Sequence, residues 1–132
     1  VIPQNGAVLS EFTPTEIPSN TFRLDTERNR LTGFVDKRAA VEQAVYLILN
    51  IERYSCDLLS TNYGVELRDL IGRPLDFCEA ELPRRITEAL TQDSRVTSVN
   101  GFTFEHGLGR ILARFAVNTV FGGIDAEREV IV

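Results

Sequence analysis

The residues in this chain best suited to chemistry are carboxylates. Glu52, Asp57, Glu66 and Asp69 lie near the end of the first helical pattern and in the loop that follows it. Two carboxylates flanking a glycosidic bond suffice to hydrolyse it, one donating a proton and the other attacking or activating water. Glu52 and Glu66 make that reading concrete, as a peptidoglycan-degrading, lysozyme-like glycosidase. A solvated surface or structural ion pairs explain the same acids more simply, because any acidic chain offers such pairs. His106 is the single histidine and adjoins Gly107. A catalytic base would want an orienting carboxylate or a neighbouring nucleophile, and no motif supplies either. It reads as an exposed turn residue. Cys56 and Cys78 lack metal-site spacing and read as reduced thiols acting as small hydrophobes. The sequence holds no GxxxxGK[ST] phosphate loop, no GxSxG elbow and no HExxH pair. The expectation is therefore a protein that is not an enzyme, with no catalytic residue, no metal ligand and no cofactor.

Composition agrees with a structural or interaction role. The 132 residues fit one domain of ordinary size. With 43% hydrophobic and 25% charged residues, the chain can bury a real core and is not globally disordered. A net charge of −5 argues against nucleic-acid binding, which needs clustered Lys and Arg. No apolar run approaches the roughly 20 residues of a spanning helix, so no membrane span is expected. No basic flank precedes an apolar run at the N-terminus, so no secretory leader is expected either.

The elements that would position these residues follow from periodicity. Residues 1–20 carry Pro3, Pro14 and Pro18 among small polar residues and read as an extended arm. Residues 21–132 then form one α+β domain. It opens with a hairpin, Thr21 to Asp25 and Arg30 to Val35. Asp36 is a good N-cap for a helix from Lys37 to Tyr54, whose stripe is Val41, Ala44, Val45, Ile48 and Leu49. Val65 to Ile71 reads as a short helix stopped by Gly72 and Pro74. A second long helix, Leu75 to Gln92, buries Cys78, Leu82, Ile86, Ala89 and Leu90. Pro83 lies inside it and predicts a kink, or a helix starting only a turn before it. The rest reads as an antiparallel sheet. Val96 to Asn100 leads to Phe102 to Glu105, and a turn at Gly107-Leu108-Gly109 follows. Arg110 to Phe121 alternates most clearly, Gly122-Gly123 breaks it, and Val130 to Val132 forms a β-prone tip.

Three local strings suggest more than generic surface. In Asn50-Ile51-Glu52-Arg53-Tyr54, Arg53 suits a helix C-terminus, whereas Glu52 is not helped by the dipole and calls for a specific partner. In Asn62-Tyr63-Gly64-Val65-Glu66-Leu67, Gly64 suggests a special backbone angle. In Gln92-Asp93-Ser94-Arg95-Val96, an Arg in a charged turn can make a fork-like contact.

Taken in order, these strings resemble the XkdS-like baseplate proteins of contractile tails, related to the lysozyme-like baseplate wedge and TssE family. The resemblance runs from Thr21-Phe22-Arg23-Leu24-Asp25 through the first helix, Glu52-Arg53-Tyr54 and Asn62 to Leu67. It continues through Asp69-Leu70-Ile71-Gly72, Arg84-Arg85-Ile86, Glu88-Ala89-Leu90 and Asp93 to Val99, and ends at Phe115 to Gly122. Asp93, Ser94 and Arg95 occupy the positions of the family's Glu-Pro-Arg signature, with the Pro absent. Glu52-Arg53 matches the end of its Gly-Glu-Arg signature, with Ile51 in place of Gly. The resemblance implies a sheath initiator, six copies per ring, assembled in the bacterial cytoplasm into a virion or phage-tail-like particle. It implies that Glu52, Arg53, Asp93, Ser94 and Arg95 dock on larger wedge proteins. It also implies that sheath subunits add strands to the sheet, for which Val117, Thr119, Val130, Ile131 and Val132 are the candidates. The tail tube is an open third contact.

Overall fold

The computed structural model describes residues 19–132. The arm expected over 1–20 therefore lies, for residues 1–18, outside the described residues. The elements run β1 (Thr21–Asp25), β2 (Arg30–Val35), α1 (Lys37–Asn50), a three-residue 3-10 turn (Arg68–Leu70), α2 (Leu75–Leu90), β3 (Val96–Gly107), β4 (Arg110–Thr119) and β5 (Gly122–Ile131). β1 and β2 pair with each other, and β3, β4 and β5 form a separate antiparallel sheet with β4 in the centre. This is the α+β arrangement of two main helices and a C-terminal antiparallel sheet.

The core lies between the helices and one face of the larger sheet. Along β4, Ile111, Ala113, Phe115, Val117 and Thr119 are buried while Arg110 and Arg114 are exposed, the alternation of a one-sided strand. They meet Val41, Val45, Ile48 and Leu49 of α1 and Cys78, Leu82, Ile86 and Leu90 of α2. Ala40 joins the buried side of α1, and Ala44 is only half-buried. The side chain of Asp36 accepts the Lys37 amide at 2.7 Å.

Several expectations change. α1 stops at Asn50, not Tyr54, because the chain beyond it trades helical bonds for strand-like ones. Glu52 and Val65 form a parallel bridge. The Arg53 amide donates to the Val65 carbonyl at 3.2 Å, and the Val65 amide donates to the Ile51 carbonyl at 3.0 Å. That bridge also takes Val65 out of the expected short helix, leaving only the 3-10 turn. α2 starts at Leu75, so Pro83 is a true interior residue and the Glu79 carbonyl is the one that loses its amide. β3 is one strand, not two, bulged between Asn100 and Thr103 with Gly101 at φ 69°. β5 begins at Gly122, so the expected tip is the end of a ten-residue strand. His106 lies within β3 opposite Ile111, and its Nε2 is 2.6 Å from Glu79 Oε1. Cys78 is a buried core thiol, but Cys56 is exposed and adds nothing to the core.

Candidate partner-binding site

The segment after α1 is built around Gly64. Its φ is 95°, and a Cβ there would sit 2.6 Å from the Ile51 carbonyl oxygen and 3.0 Å from the Arg53 nitrogen. Only glycine lets the two backbones approach this closely. The approach divides the neighbouring acid and base. The Glu52 carboxylate turns toward the 3-10 turn and accepts the Leu67 amide at 3.1 Å and the Arg68 amide at 3.0 Å. This is the partner the sequence called for: the acid caps another turn, satisfying donors left over at its start. Arg53 turns the other way. Its Nε donates to the Gly64 carbonyl at 3.4 Å, and Nη1 pairs with Glu88 of α2 at 3.1 Å.

The Arg53 side chain is therefore only 9% exposed, with Nε and Nη1 engaged inside the molecule. Glu52 and Arg53 thus each make their main polar contacts within the chain. Of the carboxylates considered for glycosidase chemistry, Glu52 is held by backbone amides and Asp69 by Arg85. The Arg85 guanidinium reaches Asp69 through two nitrogens, Glu81 at 3.3 Å and the Glu66 carbonyl at 3.0 Å. Its hydrogen bonds hold the Asp69 carboxyl below the usual carboxylate range. Arg85 thus clamps the 66–69 segment onto α2. It occupies the buried stripe of α2, three residues after Leu82, and an arginine at a stripe position was the signal that could have revealed it.

The Asp93-Ser94-Arg95 turn follows the end of α2. Arg95 forks onto Asp93, Nε to Oδ1 at 2.9 Å and Nη2 to Oδ2 at 2.7 Å. The Arg95 amide donates to the same Oδ1 at 3.0 Å. These bonds fix a turn that has no proline. They also lower the Asp93 pKa, while burial and then the Asp93 charge raise that of Tyr63. Ser94 is exposed at the tip. The turn borders a groove of about 960 Å³ with a largely apolar floor that includes Ala44, Leu47, Tyr63 and Phe121. Arg53 and Asp93 thus gather at the C-terminal end of α2, one through Glu88 and one through the following turn.

The sheet sets the other surface. Val117 pairs with both Val99 and Ile124, and Thr119 with both Val96 and Gly122. β4 has no free edge, so Val117 and Thr119 cannot accept an added strand while the sheet is intact. Val130 is paired with Ile111 and is 2% exposed, so it is a core residue. Ile131 is exposed, and the Val132 amide donates to the Gly109 carbonyl at 3.1 Å. The outer edges belong to β3 and β5. β3 is interrupted by two irregularities, between Val96 and Ser98 and between Asn100 and Thr103, whereas β5 pairs with β4 without a break from Gly122 to Ile131.

The model of the contractile injection system sheath initiator family matches residues 16–122. The chain belongs to that family. It is also similar to the phage-like element PBSX protein XkdS of Bacillus subtilis (strain 168), with 35% identity over 113 residues, covering 83% of this chain and 80% of that protein. Membership makes this a structural, sheath-initiating protein of a contractile injection system. The family match ends where β5 begins.

Proposed function

We propose that the protein starts the sheath by offering the outer edge of β5 to an incoming strand, while its Asp93-Ser94-Arg95 turn holds it to the baseplate. The observation that carries this reading is the unbroken β5 edge in a sheath initiator. An open edge presents a row of unpaired backbone groups and templates strand addition, and bulges of the β3 kind discourage it. The direction of those groups follows from the Val132 amide, which points toward β4. Backbone groups alternate sides along a strand, so Val130, Arg128 and Ala126 also face β4. Ile131, Glu129, Glu127 and Asp125 direct theirs outward.

The partners are sheath subunits on one side and larger baseplate wedge proteins on the other. The Asp93–Arg95 fork supplies the rigidity that proline gives the family's Glu-Pro-Arg signature. The exposed tip at Ser94 and the adjoining groove form the surface on which a wedge helix rests. Six copies complete a ring, assembled in the bacterial cytoplasm as part of a phage-tail-like particle. The role needs no catalysis, and the amide-bound Glu52 suits a cap rather than an acid catalyst. The test is complementation of particles lacking the protein. Wild-type chain restores sheathed tails, and Arg95→Ala lowers the amount of the protein found on purified baseplates. Full sheathing without the chain overturns the reading, as does clearing of a peptidoglycan suspension that Glu52→Gln abolishes.

A further inference from the structure

The outer face of the sheet beside β5 is acidic. The residues of β5 whose backbone groups point away from β4 carry Asp125, Glu127 and Glu129, all exposed. Arg110 pairs with Glu129 at 2.7 Å, and Arg114 with Glu127 at 3.3 Å and with Glu105. Four carboxylates thus face two guanidiniums, and Asp125 has no ion-pair partner among the described residues. In an added strand, the residues opposite Asp125, Glu127 and Glu129 would lie on this same face, with Cβ atoms about 5 Å away. Like charges there repel and opposite charges attract. Near its end, β5 also borders a groove of about 430 Å³, walled by Leu67, Arg68 and Ile71 and floored by Arg128 to Ile131. Glu52 builds that wall by holding the Leu67 and Arg68 amides.

Resting on the β5-edge reading above, we propose that the sheath strand received by this edge is recognised by charge: it carries Lys or Arg at alternate positions, opposite Asp125, Glu127 and Glu129. Its intervening side chains point to the other face, and the one beside Val130 enters the groove next to Ile71. The acids then do two things at once. They keep the free edge from pairing with neutral or acidic strands, and they select the basic one.

The experiment uses the full chain and two ten-residue peptides, one alternating Lys with Val and one alternating Glu with Val. Binding is followed through the β5 amide resonances. The expected result is about tenfold tighter binding of the basic peptide, the sum of a few exposed charge pairs. That preference shrinks in 1 M salt, where the Debye length is about 3 Å. The triple variant D125K/E127K/E129K, whose fold is checked by circular dichroism, reverses the preference. Equal binding of both peptides at β5 overturns the charge rule and leaves the edge reading standing. Shifts confined to β3, or none with either peptide, overturn both.

Discussion

At the scale of single residues, Gly64, Glu52 and Asp93 each act within the molecule. Gly64 is the clearest case, since its backbone angle and the 2.6 Å approach to the Ile51 carbonyl exclude any side chain. Gly64→Ala is expected to cost about 1–3 kcal/mol, read as a lower urea midpoint. Asp93 gives a pH-dependent counterpart. Its folded-state pKa is depressed by the Arg95 guanidinium. Its contribution to stability is therefore fully present above the unfolded carboxylate value of about 3.9 and is lost as pH falls through the lower folded value. Urea midpoints of the wild type and Asp93→Asn should differ at pH 6 and converge toward pH 2. A constant gap would place the effect of Asp93 outside its charge. These roles were partly legible beforehand. The mismatch of Glu52 with a helix C-terminus announced a specific partner, and Gly64 announced a special angle. That the partner would be the Leu67 and Arg68 amides was hidden, because it depends on how two loops meet.

At the scale of elements, periodicity carried furthest where one face is buried. The stripes of α1 and α2 and the alternation of β4 follow directly from the spacing of their apolar residues. The end of α1 did not, since Glu52 and Arg53 could extend a helix and leave it only to pair with Val65. β5 was legible only at its tip. Its inward positions are Ile124, Ala126, Arg128 and Val130, and the arginine breaks the apolar alternation. Arg128 is accommodated by the Asn50 side chain at 3.0 Å, a contact no local pattern announces. Strand order was equally hidden, and it moves the proposed site of strand addition from β4 to the outer edge. It also makes the expected tip at residues 130–132 the paired end of a full strand. Burying a valine such as Val130 stabilises by about 1.5–3 kcal/mol, so deleting residues 130–132 should lower the melting temperature as well as sheath recruitment. The cap has a milder signature. Glu52→Ala should cost about 0.5–2 kcal/mol and raise amide exchange at Leu67 and Arg68.

At the scale of the whole molecule, the surfaces proposed for docking and for strand addition occupy different places. The Asp93-Ser94-Arg95 turn lies at the C-terminal end of α2, and the β5 edge, unpaired among the described residues, lies on the outside of the sheet. One surface can therefore fail while the other works. Arg95→Ala should reduce baseplate occupancy more than it reduces the melting temperature, and a large loss of stability with full occupancy would reverse that assignment. Sheath initiation at the β5 edge is tested by Glu127→Pro. The Glu127 amide points away from β4, so proline there removes an outward donor while sparing the bond pattern within the sheet. Particles carrying Glu127→Pro should be imaged by electron microscopy alongside a melting curve of the purified variant. The expected result is a folded protein, present on baseplates, with tubes bare of sheath. Full-length sheaths on baseplates containing the variant would contradict it.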